Sequence, residues 1–98
     1  MLPGTVVLYK HTWHGKIEIF HPEVEYAHVR DTMRDPCYIC ISATTPGSFV
    51  FVSEEHTNEF GDALRVPIKP EVDDNIVTSS YYSAAATHGQ VIWKRGDE

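Results

Sequence analysis

The stretch Asp35-Pro36-Cys37-Tyr38-Ile39-Cys40-Ile41-Ser42-Ala43-Thr44-Thr45-Pro46-Gly47-Ser48-Phe49-Val50-Phe51-Val52-Ser53 decides the fold class. Asp35-Pro36 ends a helix, because the proline ring disfavours helical backbone in the residue before it. From Cys37 onward the period of the pattern changes from helical to two, so Cys37–Ser42 reads as a strand. Thr45-Pro46-Gly47 carries turn chemistry, and Phe49–Ser53 reads as the hairpin partner.

Downstream, a polar loop over Glu54–Gly61 leads to a strand at Ala63–Lys69. There Leu64, Val66 and Ile68 face one way and Arg65 and Lys69 the other. Pro67 has no N–H to donate, so it is expected at an edge or a bulge. An acidic loop, Pro70–Asn75, precedes a strand over Asn75–Tyr82, and Val91–Lys94 adds a short last one. Upstream, Glu23–Arg34 places Tyr26, Val29 and Met33 on one helical face, with acids in its first turn and Arg30 and Arg34 in its last, as the helix dipole favours. Thr5–Tyr9 reads as an opening strand. His11–Phe20 spaces Trp13, Ile17 and Phe20 along one helical face. The sum is an α+β domain in which N-terminal helices pack on a four- to five-stranded antiparallel meander.

Ninety-eight residues allow one domain, residues 1–98, with one core. Its longest apolar runs, such as Phe49–Val52, are far too short to cross a bilayer, and no charged n-region leads into a hydrophobic run. A cytoplasmic protein with free thiols is therefore expected from two cysteines and no signal. Fourteen acidic against eight basic residues give a net charge of -6, which argues against a general coat for nucleic acid.

Six histidines invite a search for metal sites. His21 and His28 are about two helical turns apart, too far to share a zinc, and His11 and His14 have no compact thiol or carboxylate partner. Cys37 and Cys40 form a lone C-x-x-C whose side chains would point to opposite faces of a strand. A zinc-histidine site is thus the faintest option, and neither metal nor cofactor is expected.

RNA cleavage by internal attack of the 2′-hydroxyl needs only a base, an acid and a cation to stabilise charge at phosphorus. The side chains for it are present. His14, Lys16, His21 and Glu23 lie near the first helices, Arg65 and Lys69 on one strand face, Thr78 and Tyr81 on the next strand, and His88 in a loop. The plainer account of the same residues is helix caps, solvent-facing cations and turn residues.

The order of several short motifs adds to this. His21-Pro22-Glu23-Val24, the run from Arg30 to Ser42, the run from Ala63 to Tyr82 and Gly89–Arg95 together resemble the phage-associated nucleases of the barnase/EndoU/colicin/RelE-like superfamily, over about residues 13 to 95. The resemblance implies a barnase/RelE-like α+β fold, an active face on the concave side of the sheet, and metal-independent endoribonuclease activity, as in a toxin or phage-associated RNase. It assigns catalytic roles to His21, Glu23, Lys69, Thr78 and Tyr81, and substrate contacts to His14, Lys16, Arg65, His88 and Trp93. RNA is the implied substrate, with an antitoxin protein or the ribosome as further candidate partners and no membrane. Lys16 and Phe20 stand where the family pattern has histidine and arginine, and Ser80 stands where it has a tyrosine. Those departures keep open an alternative: a catalytically altered or inactive member of the fold that binds RNA or protein.

Overall fold

The structure is a computed structural model that describes residues 5–84 and 89–96. Seven strands form one mixed sheet. β1 (Thr5–Val7) precedes the helical segments, and β2 (Tyr38–Ile41), β3 (Phe49–Thr57), β4 (Ala63–Pro70), β5 (Asp74–Val77), β6 (Tyr81–Ser83) and β7 (Val91–Lys94) follow them. The path across the sheet is β1-β5-β4-β3-β2-β7, with β6 also paired to β4.

This corrects the expected architecture. The sheet has seven strands where four or five were expected, and it is not purely antiparallel, because β1 runs parallel to β5. The meander itself is present as β2-β3-β4-β5. β1 closes one edge of it, and β7 returns to pair with β2 at the other. Among the described residues, helix is confined to two short regions. The first comprises α1 (Lys10–Thr12), a π-helical turn at Trp13–Ile17 and α2 (Glu18–Phe20); the second is α3 (Tyr26–Arg34). The wide π turn holds more residues per turn than an α-helix and so rotates the residues after it. Ile17 is buried and Trp13 half-buried, whereas Phe20 is 69% exposed, off the face its spacing predicts. His21-Pro22-Glu23 forms a turn, so α3 begins at Tyr26 rather than at Glu23.

The alternation read from the sequence distributes residues between two sheet faces. Opposed residues of an antiparallel pair share a face. Phe51↔Val66, Phe49↔Ile68, Ile39↔Phe51 and Ile68↔Val77 therefore define the inner face. On it Ile39, Phe51, Leu64, Val66, Ile68 and Val77 pack with Ile17, Val24 and Val29 in the principal core. The outer face carries a second, smaller cluster of Cys40, Val50 and Val52 with Tyr38 and Ala63 beside it.

Two local departures shape the site. β3 continues to Thr57, so the polar loop shrinks to the turn at Asn58–Asp62, whose Asn58 Oδ1 accepts the N–H groups of Phe60 and Asp62 at 2.9 Å each. The strand expected over Asn75–Tyr82 is broken between Val77 and Tyr81. At the break the Thr78 N–H donates to the Pro67 carbonyl at 3.0 Å, and the Ser80 hydroxyl donates to the Arg65 carbonyl at 2.9 Å. A residue's N–H and C=O project to the same side of a strand. The donor that Pro67 lacks would thus have faced this break. Proline is accommodated inside an interior strand, neither at a sheet edge nor in a bulge of β4's pairing with β3. At the other edge, Gly89 has φ 125°, and a Cβ there would collide with the Ile41 carbonyl; the adjacent Gln90 carbonyl accepts the Ile41 N–H at 2.8 Å.

Candidate active site

On the outer face, β4 presents Ala63, Arg65, Pro67 and Lys69 by strict alternation. A cleft of about 380 Å³ opens beside it, lined by Lys16, Val50, Pro67, Lys69, Thr78 and Tyr81 and closed by the β2–β3 hairpin loop through Ser42, Thr44, Thr45 and Ser48. Four of the residues singled out from sequence (Lys16, Lys69, Thr78 and Tyr81) meet here. They come from the π turn, β4, the β5–β6 break and β6.

The break explains how Thr78 and Tyr81 share the cleft. In an unbroken strand, residues three apart point to opposite faces. Interruption at Thr78–Ser80 resets the alternation. Ser80 turns fully inward, and Tyr81 faces the same space as Thr78. Of the two adjacent tyrosines, Tyr81 lines the cleft. Tyr82 pairs with Leu64 and packs against the principal core.

His21 reaches this site through Tyr81, with ring centroids 5.8 Å apart and planes tilted by 40°. Its backbone is tied on both sides. The His21 N–H donates to the Ile17 carbonyl at 2.7 Å, and its own carbonyl accepts the Val24 N–H at 3.0 Å. Burial pushes the Tyr81 phenol up from its ordinary value, and the Arg65 guanidinium draws it partly back. The phenol is consequently protonated at neutral pH and can donate a proton. Lys69 also contacts Glu71, Nζ to Oε1 at 3.5 Å, in an exposed pair that solvent screens.

Other predicted residues lie elsewhere. Glu23 lines a separate groove of about 500 Å³ with Glu25, His28, Glu59, Phe60 and Tyr82. The lining of the cleft with Tyr81 thus does not include Glu23, a residue to which the resemblance assigns a catalytic role. His14 is exposed and approaches Glu18 at 3.4 Å. Trp93 pairs with Ile39 and packs on the principal core, on the face opposite Lys69. Arg65 is only 3% exposed, which withdraws its side chain from direct contact with a substrate phosphate. His88 lies outside the described residues. A larger cleft of about 550 Å³ beside α3 is lined by Asp31, Asp35 and Glu55 with Arg34, Ser53 and His56. Three carboxylates make it a poor receptor for a polyanion despite its size.

Sequence reading missed the hairpin hydroxyls. Ser42, Thr44 and Thr45 were absorbed into the turn signal of Thr45-Pro46-Gly47. The turn does use one of them, since Ser42 Oγ accepts the Thr45 N–H at 3.1 Å. What no local pattern conveys is that β3 and β4 bring this loop over Lys69.

Among the described residues, no group of three or more His, Cys, Asp or Glu side chains is arranged to hold a metal. The His28 and His56 rings stack with centroids 4.1 Å apart, but their Nε2 atoms diverge to Glu25 at 3.0 Å and Asp31 at 3.5 Å. Neither cysteine forms a disulfide among the described residues; Cys40 is buried in the outer-face cluster, and Cys37 Sγ accepts the Glu54 N–H at 3.2 Å. No described helix is long and apolar enough to cross a membrane.

Comparison of the chain with protein-family models, with curated proteins and with solved structures returned no match.

Proposed function

We propose that this protein is a small metal-independent ribonuclease acting in the outer-face cleft. The observation that carries the reading is the meeting of Lys16, Lys69, Thr78 and Tyr81 in one cleft, with the His21 ring against Tyr81. In the reaction His21 takes the proton of a ribose 2′-hydroxyl, and the 2′-oxygen attacks phosphorus. The P–O5′ bond breaks to leave a 2′,3′-cyclic phosphate. Tyr81 donates its proton to the departing 5′-oxygen, which leaves as a hydroxyl. Lys16 and Lys69 offset the negative charge that builds on the phosphoryl oxygens, as preorganised cations do most effectively. Thr78 and the hairpin hydroxyls offer hydrogen bonds to ribose and phosphate. Glu23, in its separate groove, has no part in this scheme.

The chain's resemblance to the phage-associated nucleases supports the same reading and suggests a toxin-like RNase. The test is cleavage of structured RNA in EDTA, with the product ends analysed. Wild type is expected to leave 2′,3′-cyclic phosphate, and His21→Ala to lose about a hundredfold or more, the usual contribution of a general base. Wild-type inactivity, or full activity in His21→Ala, would overturn it.

A second reading is favoured by one observation: Glu23 stands apart from the cleft, so His21 has no carboxylate partner there. The protein would then hold RNA, or a protein partner, without cutting it. Saturable binding of an intact oligonucleotide with no product formed would favour this reading.

A further inference from the structure

Arg65 is the most costly residue on the outer face. A guanidinium stays charged at any physiological pH, and desolvating it costs several kcal/mol unless its surroundings compensate. Here it sits 3% exposed between β3 and β6, above the small apolar cluster of Cys40, Val50 and Val52. Methionine would fill the same space at lower cost, since buried ion pairs replaced by apolar residues are often neutral or stabilising. Packing alone therefore gives no reason for an arginine.

Its neighbours supply one. The strand register sets Lys94, Tyr38, Val52, Arg65 and Tyr81 in a single row across β7, β2, β3, β4 and β6. Opposed residues in such a row share a face, with Cβ atoms roughly 5 Å apart. Val52 is small and fully buried, so Tyr38 and Arg65 meet over it, and the guanidinium donates toward the Tyr38 hydroxyl. On its other flank Arg65 lies directly beside Tyr81, which lines the cleft, and its backbone carbonyl is fastened by Ser80 at 2.9 Å. The backbone that carries the permanent charge is thus fixed between two strands and by Ser80, in the same row as Tyr81.

We infer that Arg65 is a positioning residue that acts on catalysis through Tyr81, polarising that phenol from its buried place beside the cleft without touching RNA. This rests on the ribonuclease reading above. A proton donor works best when its acidity lies near the working pH. Burial drives Tyr81 away from that range, and the neighbouring positive charge works against the burial. The guanidinium is itself out of water, where charges are less screened than at the surface.

The experiment compares wild type with Arg65→Met and Arg65→Lys, using tyrosine labelled with carbon-13 at Cζ and the Tyr81 signal assigned from Tyr81→Phe. Arg65→Met is expected to fold and to move the Tyr81 titration upward by about one pH unit or more. Its kcat should fall about tenfold with KM within about twofold, because the lost interaction matters only as the leaving oxygen takes its proton. Arg65→Lys keeps the charge and is expected to restore the titration and most of kcat. An unchanged Tyr81 titration in folded Arg65→Met would overturn the inference while leaving the ribonuclease reading intact. Should Arg65→Met not fold, Arg65→Lys decides alone, and a tenfold loss of kcat with the charge retained would overturn it. Absence of cleavage by wild type would overturn both.

Discussion

Ser80 is a small hydroxyl residue with no exposed surface, and its Oγ donates to the Arg65 carbonyl at 2.9 Å. The β4–β6 ladder ends at the Arg65–Tyr81 rung, and the Ser80 hydroxyl ties the break to that rung. Ser80→Ala removes a buried hydrogen bond, and such losses cost about 1 kcal/mol. Thr78 is half-buried and reaches the Pro67 carbonyl through a longer contact of 3.4 Å, so Thr78→Val should cost under about 0.5 kcal/mol, as peripheral substitutions do. Urea unfolding of the two variants checks the order, and equal losses would refute the account of the break. From the sequence, Thr78, Ser79 and Ser80 read alike, as β-tolerant hydroxyls. Which of them points inward depends on Pro67, eleven or more residues away. That is why Lys16, Lys69, Thr78 and Tyr81 were legible as candidates by chemical type, while the fate of Glu23, Arg65 and Trp93 was not. Type is local, but the face a residue occupies is set by pairing.

At the scale of elements, the period-two segments were legible: β2, the start of β3, and β4 lie where alternation put them. α3 was legible from its apolar spacing, though not its first residue. Parallel pairing of β1 with β5 was not, because three residues carry no register signal and the two strands are far apart in the chain. β7 is likewise short, and one arginine after its end holds it in place. Arg95 donates from Nη1 to Asp35 at 2.7 Å and from Nη2 to Glu55 at 2.8 Å, tying the last strand to the end of α3 and to β3. The Glu55 carboxyl is held below its ordinary range, chiefly by the hydrogen bond from Arg95 and then by its charge. A carboxyl whose acidity is strengthened by folding stabilises the fold above its unfolded titration point, and that contribution vanishes as pH falls through the folded one. Both partners are exposed, so salt should weaken the pair. Arg95→Gln should lower the melting temperature slightly at pH 7, and the gap should shrink as pH falls through the lowered Glu55 titration point. Hydrogen exchange should quicken in β7 while the β3–β4 ladder stays protected. A gap that persists in acid would mean that Arg95 acts by packing instead.

Across the whole molecule, a net charge of -6 and a lysine-lined cleft pull a polyanion in opposite directions. Half of the fourteen acidic residues fall within Glu54–Asp62 and Glu71–Asp74, on either side of β4 in the sequence. Both lysines lining the cleft are exposed, whereas Arg65 is buried in the row beside it. Only the lysines can displace counterions from RNA. Binding of single strands falls with salt by a logarithmic slope of about 0.7 for each phosphate neutralised. Two lysines therefore predict a slope of about -1.4 for an uncleavable 2′-O-methyl oligonucleotide, a shallow value beside that of proteins that coat nucleic acid. Lys16→Ala and Lys69→Ala should each flatten the slope by about 0.7, and the double variant should leave almost none. Arg65→Met should leave the slope as it is, because a buried charge that meets no phosphate releases no ion. Fluorescence anisotropy across a salt series measures all four. A steep wild-type slope that survives both lysine substitutions would place RNA on another surface and remove the cleft from the account. A slope that flattens in Arg65→Met would mean that the guanidinium reaches the phosphate after all, and its role beside Tyr81 would have to be given up.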